Sequence, residues 1–177
     1  MSDLVRRAPL DGRSVSTEQF ELLVAPHAHR VILRAGQDAR SAMEPALGLE
    51  LPRTIGGSEV AGERAVLCLG PDEWLVIDPE GDPSADLQGV DAPHSAVDVS
   101  HRNVGLLITG QGAADALEHG CPRDLSLRTF PVGWCARTVL GKAEVVIWRG
   151  KADAFRIECW RSFSRYIYDF MNEVSRG

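Results

Sequence analysis

A chain of 177 residues, of which 44% are hydrophobic and 25% charged, has the composition of one soluble globular domain and not that of a disordered segment. Its net charge of −6 and isoelectric point of about 5.4 argue against a nucleic-acid partner, because phosphate binding needs positive charge clustered on one face. No window approaches the roughly 20 apolar residues of a membrane span and the amino terminus lacks a signal-peptide core, so we expect a cytoplasmic protein with no membrane partner.

The chain is predicted to be an arm followed by one domain. Residues 1–18 are polar and aperiodic, which predicts an extended N-terminal arm that is ordered only where something holds it. Residues 19–177 are predicted to form a single domain with two halves, about 19–100 and 101–177.

In the first half, short apolar runs alternate with turn signals. We predict strands at 20–24 and 30–33, a helix at 39–47 that stops at Gly48, strands at 65–69 and 74–77, a helix at 84–88 and a strand at 96–99. The Gly-Pro-Asp-Glu sequence between the two middle strands predicts a hairpin, since proline presets the backbone of a type I turn. From residue 30 to 99 the order is β-α-β-β-α-β, that of a ferredoxin-like unit.

The second half follows a looser version of the same plan. We predict a strand at 104–109, a helix at 113–119, strands near 134–140, 144–148 and 154–159, and a closing helix at 163–174 with Ser162 or Ser164 as its cap. The closing helix is indicated by apolar residues that recur on one face of a 3.6-residue period. Two such halves in tandem predict an α+β fold with antiparallel or mixed sheets and helices on one side.

Two motifs contain the residue types of a ligand or catalytic site, yet we predict that both are structural. The Gly-Gln-Gly-Ala-Ala-Asp sequence at 110–115 follows a strand and opens a helix, as a dinucleotide-binding turn would, but Asp115 stands in place of the third glycine. Asp98, Ser100 and His101 lie too close together in sequence to converge as a hydrolytic triad. We therefore expect a glycine turn at the first motif and a local hydrogen-bonded turn at the second.

Metal binding and disulfides are likewise not predicted. His27 and His29 share a side of an extended segment, but nothing nearby supplies a third ligand, so a surface loop is expected. The four cysteines are scattered, with no C-x-x-C pair, and are expected to be reduced thiols: Cys68, Cys121, Cys135 and Cys159.

Aromatic and arginine residues meet at the predicted junction of the last strand and the closing helix. Tryptophan, tyrosine and arginine are enriched at the centres of protein interfaces, so this corner is the interface candidate, with burial in the core as the alternative. The candidate interface residues are Trp160, Arg161, Phe163, Arg165 and Tyr166. No catalytic, cofactor-binding or metal-binding residues are predicted.

Five segments, taken in order, resemble the gamma subunit of heterotetrameric sarcosine oxidase from about residue 5 to the C-terminus. They are Leu-Gly-Pro-Asp-Glu-Trp-Leu at 69–75, Val-Asp-Val-Ser-His-Arg at 97–102, Gly-Cys-Pro-Arg-Asp-Leu at 120–125, Phe-Pro-Val-Gly at 130–133 and Arg-Ser-Phe-Ser-Arg-Tyr at 161–166. More distantly, the Asp-Val-Ser-His segment, together with the strand, the helix and the Asp-Leu pair after it, is similar to the folate-binding domain of the glycine-cleavage aminomethyltransferase. That second resemblance implies the same duplicated α+β architecture.

The resemblance implies a non-catalytic accessory subunit of an enzyme that demethylates sarcosine oxidatively to glycine, with formaldehyde or 5,10-methylenetetrahydrofolate and hydrogen peroxide as products. It implies alpha, beta and delta subunits as partners, with alpha the direct contact. It places no cofactor in this chain: the flavins FAD and FMN are expected in the beta subunit, and NAD and tetrahydrofolate in the alpha subunit.

One departure from the folate-binding relatives bears on this expectation. Those relatives carry a carboxylate that anchors the pterin, and here only Glu144 stands in a comparable strand. Two alternatives stay open: a gamma-type subunit of a related N-methyl amino acid dehydrogenase, such as N-methylglutamate dehydrogenase, and a free-standing folate-binding protein.

Overall fold

The computed structural model describes residues 9, 10 and 12–177, which form two antiparallel sheets with helices packed on them. The strands are β1 (Ser14–Ser16), β2 (Glu21–Val24), β3 (His29–Ala35), β4 (Ser58–Ala61), β5 (Arg64–Gly70), β6 (Glu73–Asp78), β7 (His94–Asp98), β8 (Asn103–Thr109), β9 (Cys135–Leu140), β10 (Ala143–Lys151) and β11 (Ala154–Trp160). The helices are α1 (Gln37–Leu47), α2 (Pro83–Leu87), α3 (Ala113–Glu118) and α4 (Ser164–Val174). The predicted α+β class is confirmed.

The first sheet has the strand order β4-β5-β6-β3-β7. Along the chain, β3, α1, β5, β6, α2 and β7 follow the predicted β-α-β-β-α-β order, and the pairing of β3 with both β6 and β7 completes a ferredoxin-like unit. One face of this sheet is covered by α1 and α2, and its core includes Val31, Leu33, Met43, Leu47, Val66, Trp74, Val76 and Leu87. The additional strand β4 was not predicted, because its residues are largely exposed and show no apolar alternation.

The second sheet has the strand order β1-β2-β8-β11-β10-β9. After β8 and α3, the chain runs through β9, β10 and β11 as consecutive antiparallel neighbours, and the last helix follows the last strand, as predicted for the looser half. Helices α3 and α4 pack on this sheet through Ala116, Leu117, Ile167 and Met171.

The N-terminal strands lie in the second sheet, although they precede the first in sequence. Strand β2 pairs with β8 from Glu21↔Thr109 to Val24↔Leu106, and β1 pairs with β2. Within the predicted arm, residues 14–16 therefore form an edge strand, while residues 1–8 and 11 lie outside the described residues.

The two sheets contact each other through the faces that the helices leave uncovered. Leu67, Leu75 and Ile77 of the first sheet share an apolar cluster with Cys135 and Val146 of the second. Backbone hydrogen bonds cross at the same place, because the Cys135 amide donates to the Gly56 carbonyl at 2.7 Å. Helices thus form the outer layers, and the sheet contact forms the middle of the molecule.

The beginning of α4 differs from the prediction. A single 3-10 turn, Arg161–Phe163, precedes the helix, and no side chain caps its first amides. Instead of accepting a bond, the Ser164 hydroxyl donates to the Arg161 carbonyl at 2.8 Å, so the predicted serine cap is wrong. No helix among the described residues is both long and apolar enough to cross a bilayer.

Candidate docking surface

The glycine turn after β8 is filled by the protein's own backbone. Gly110 has a φ of 127°, a Cβ built on it would lie 2.4 Å from the Gln19 carbonyl oxygen, and the Gly112 amide donates to that same oxygen at 2.9 Å. The amide that a phosphate would need is therefore engaged by Gln19. The predicted strand-to-helix turn with glycine geometry is confirmed.

Replacing Gly110 with alanine is expected to lower the free energy of unfolding by about 1–3 kcal/mol, because this backbone conformation is accessible essentially to glycine alone. Gly89→Ala is the matched control, since Gly89 has open space around it and no positive φ, and its effect should stay within about 0.5 kcal/mol. Urea denaturation of the two variants measures the difference. Equal stabilities would contradict the role assigned to Gly110.

The segment with the residue types of a triad is a local turn. The Ser100 amide donates to Asp98 Oδ1 at 2.7 Å, and the Arg30 amide donates to Ser100 Oγ at 2.9 Å. Hydrogen bonds from the Ser100 hydroxyl and amide lower the pKa of the Asp98 carboxyl. The hydroxyl thus holds backbone groups together, which confirms the predicted hydrogen-bonded turn.

The residues weighed as metal or pterin ligands are the histidine pair His27 and His29 and the carboxylate of Glu144. The rings of His27 and His29 meet edge to face with centroids 5.6 Å apart, and the described part of the chain contains no group of three or more potential metal ligands. Glu144 is exposed and lies 4.0 Å from the Nε of Arg137, which also pairs with Glu73 of the other sheet. A solvated, paired carboxylate does not fit the anchoring of a pterin, which requires a sheltered acceptor.

The strongest candidate site is the corner at which β11 turns into α4. Trp160 is 45% exposed and Phe163 41% exposed, and their ring centroids are 6.2 Å apart. Arg102, at the end of the turn before β8, stacks on Trp160 with its guanidinium carbon 5.3 Å from the ring centroid. These three side chains form a continuous exposed surface of aromatic and cationic groups.

An open groove of about 540 Å3 lies beside this surface, lined by Pro9, His101, Arg102, Trp160, Arg161 and Ser162. Its two sides are joined by backbone pairing, because Asn103 of β8 is the register partner of Trp160, and the Arg161 amide donates to the Arg102 carbonyl at 2.6 Å. His101 and Arg102 were not predicted as interface candidates, since their proximity to residue 160 depends on a strand pairing that sequence does not show. We call His101, Arg102, Trp160, Arg161 and Phe163 together the corner surface.

The five candidate interface residues do not all lie at this groove. Trp160, Arg161 and Phe163 do form part of the corner surface, whereas Arg165 is an exposed side chain 3.6 Å from Asp169, one turn along α4. Tyr166 stacks on Phe170 with centroids 6.5 Å apart, and its hydroxyl accepts a hydrogen bond from the Lys142 amide at 3.0 Å.

Tyr166 therefore connects α4 to the β9–β10 turn through this hydrogen bond. A Cβ on Gly141 in that turn would lie 2.4 Å from the Tyr166 hydroxyl, which shows how closely the two elements approach. An interface role for the five residues remains a prediction.

A buried charge cluster that the sequence did not reveal lies farther along β11, the strand that ends at Trp160. Glu158 of β11 is 3% exposed and accepts hydrogen bonds from Arg30 Nε at 2.6 Å and Arg156 Nε at 2.7 Å. Gly105 makes room for it, since a Cβ there would lie 2.8 Å from Glu158 Oε1. The cluster joins β3 of the first sheet to β11 of the second.

Comparison with known proteins gives a consistent assignment along nearly the whole chain. A family model described as the sarcosine oxidase gamma subunit family matches residues 34–177. The sarcosine oxidase subunit gamma of Corynebacterium sp. strain P-1 is 33% identical over 98% of this chain and 94% of that relative.

Two solved structures resemble this chain. A chain of heterotetrameric sarcosine oxidase from Corynebacterium sp. U-96, solved with pyrrole 2-carboxylate, superposes with a TM-score of 0.88 at 28% identity, covering 97% of this chain and 95% of that one. Aminomethyltransferase T of the glycine cleavage system from Bartonella henselae superposes with a TM-score of 0.61 at 15% identity, over 85% of this chain and 44% of that one. The second likeness is one of fold, and it confirms the predicted relation to the aminomethyltransferase architecture.

Proposed function

The chain belongs to the sarcosine oxidase gamma subunit family, and from this premise we propose that it is an accessory subunit of a heterotetrameric sarcosine oxidase with no active site of its own. The observation that carries the proposal is the 0.88 TM-score, over 97% of the chain, to a chain of such a heterotetramer. The exposed aromatic and cationic corner surface supports it, since such residues are typical of the centres of interfaces.

The reaction of the proposed complex is oxidative demethylation. Sarcosine, dioxygen and water give glycine, formaldehyde and hydrogen peroxide; with tetrahydrofolate as acceptor, sarcosine and dioxygen give glycine, 5,10-methylenetetrahydrofolate and hydrogen peroxide. We assign the flavins to the beta subunit and the NAD and folate sites to the alpha subunit. Alpha is the proposed direct contact of this chain, in a cytoplasmic complex that also contains beta and delta.

A free-standing folate-binding function is favoured by one observation, the fold shared with aminomethyltransferase T. Glu144 argues against folate binding, because its carboxylate is exposed and paired with Arg137. Titration of the isolated chain with tetrahydrofolate separates the two functions: micromolar binding, about −8 kcal/mol, would favour the folate-binding protein.

The related dehydrogenase alternative differs in its partner chains and in its electron acceptor. Substrate choice belongs to another subunit, so the identity of the co-purified chains and the substrate they oxidise distinguish an N-methylglutamate dehydrogenase from a sarcosine oxidase.

Purified alone, the chain is expected to produce no hydrogen peroxide from sarcosine. Co-expressed with alpha, beta and delta subunits, it should purify as part of a complex that does. A peroxidase-coupled assay on both preparations at equal chain concentration measures the contrast, and a complex prepared without this chain is the control. Sarcosine-dependent peroxide from the isolated chain would overturn the assignment as an accessory subunit.

A further inference from the structure

We propose that the groove at the corner surface receives an acidic segment of a partner subunit that also inserts an apolar side chain against Trp160. This inference rests on the proposed function, because it requires partner subunits. It adds to that function the docking face and the chemistry of the segment that occupies it.

The aromatic part of the groove lining is Trp160, and Phe163 lies next to that side chain. Trp160 and Phe163 are each more than two-fifths exposed, and their rings lie side by side. An indole and a phenyl ring left in water retain apolar area whose burial is favourable, and Trp is among the side chains whose truncation most weakens interfaces. We therefore expect the partner segment to place an apolar side chain against these rings.

The rim of the groove is cationic in a protein whose net charge is −6. His101, Arg102 and Arg161 lie along it, and its six lining residues include no carboxylate. Among the described residues, neither Arg102 nor Arg161 forms an ion pair, in contrast to the paired Arg30, Arg34 and Arg64.

Stacking of Arg102 on Trp160 orients the guanidinium while leaving its in-plane N–H donors for a further acceptor. Paired in-plane donors match the two oxygens of a carboxylate, which is why the segment should be acidic. Charge complementarity of this kind also speeds association and excludes like-charged partners.

The groove is preformed, which limits the entropy lost on binding. Arg102 is held by a backbone bond from its amide to the Val99 carbonyl at 3.0 Å, and by the bond its own carbonyl accepts from the Arg161 amide at 2.6 Å. The turn before β8 and the turn after β11 are thereby locked to each other. Along these two turns, only side chains need to be ordered when the partner binds.

Competitive incorporation into the complex tests the inference. A variant chain and a wild-type chain carrying different tags are co-expressed in equal amounts with the alpha, beta and delta subunits, and mass spectrometry gives their ratio in the purified complex. Arg161→Glu, Arg102→Glu and Trp160→Ala are each expected to be incorporated at least about 30-fold less than wild type. Arg161→Gln should fall between wild type and Arg161→Glu.

Arg53→Glu is the matched control, because Arg53 is an exposed arginine that does not line the groove. It should be incorporated at parity with wild type. Thermal melting of each free variant confirms that it folds, which the Arg161 variants should do, since that side chain makes no hydrogen bond among the described residues.

The outcomes separate the inference from the function on which it rests. If the wild-type chain is absent from the purified complex, the proposed function fails. If wild type is present and the corner variants are incorporated as well as Arg53→Glu, the inference alone fails. Equal incorporation of Arg161→Gln and Arg161→Glu would exclude an acidic segment. If the corner variants lose a homodimer of the free chain but are incorporated into the complex like wild type, the groove binds a second copy of this chain instead.

Discussion

Glu158→Ala is expected to lower the free energy of unfolding by about 3–5 kcal/mol, because it leaves two arginine side chains in the interior without their shared carboxylate. Glu158 is only 1% exposed at its side chain, and Arg30 and Arg156 are 4% and 13% exposed. Neither guanidinium can regain its lost partner from solvent while the two sheets remain packed. The loss should appear as a lower denaturant midpoint in urea unfolding.

Two further variants isolate the cause. Glu144→Ala removes a carboxylate from the neighbouring strand whose side chain is 60% exposed, and its effect should stay within about 0.5 kcal/mol. The triple variant Arg30→Met/Arg156→Met/Glu158→Leu removes every charge of the cluster. It should recover much of the stability lost in Glu158→Ala. If Glu158→Ala lowers the free energy of unfolding by less than about 1 kcal/mol, the buried ion pairs do not stabilise the contact between the two sheets as inferred.

The order of strands and helices was predictable wherever local pattern decides it. The apolar runs of β3, β5, β6 and β8 stand between glycine and proline signals, and α4 has a clear helical period, so the sequence predicts the ends of these elements to within two residues. Strands β1 and β4 were missed because each is short, mostly exposed and held by its neighbour alone.

The candidate site was only partly predictable for a different reason. Trp160, Arg161 and Phe163 are adjacent in sequence, so their shared surface was visible as a local pattern. Arg102 reaches Trp160 only through the β8–β11 register, and Arg30 meets Glu158 across 128 positions of the chain. Contacts of this kind depend on the packing of two sheets, for which a single sequence carries no periodic signal.

Above pH 9, the free energy of unfolding is expected to fall more steeply with rising pH in the wild-type chain than in a variant that lacks Cys135 and Cys159. Burial raises the pKa of the Cys135 thiol to about 12, with the nearby Cys68 adding to the shift, and burial together with the negative charge of Glu158 raises that of Cys159 to about 12. In an unfolded chain a thiol has a pKa of about 8.5.

Below a pH of about 8.5, the thiol pKa of the unfolded chain, both the folded and the unfolded chain keep the thiol proton. The contribution of each thiol to stability is then fully present. As the pH rises toward 12 the unfolded chain loses a proton that the folded chain keeps, and the free energy of unfolding falls by about 1.4 kcal/mol per pH unit for each thiol. Between pH 9 and pH 11 this amounts to about 3 kcal/mol per thiol.

Urea unfolding of the reduced chain at intervals from pH 8 to pH 11 measures this slope. The double variant Cys135→Ala/Cys159→Ala should show a smaller slope. It starts less stable, because alanine leaves small cavities, but its curve declines more gently and approaches that of wild type at high pH. Val146→Ala removes buried volume from the inter-sheet cluster that contains Cys135 without removing a titratable group, so it should lower the curve at every pH and leave its slope unchanged. Parallel curves for wild type and the double variant would mean that the two thiols ionise as readily in the folded chain as in the unfolded one, contrary to their burial between the sheets and helices.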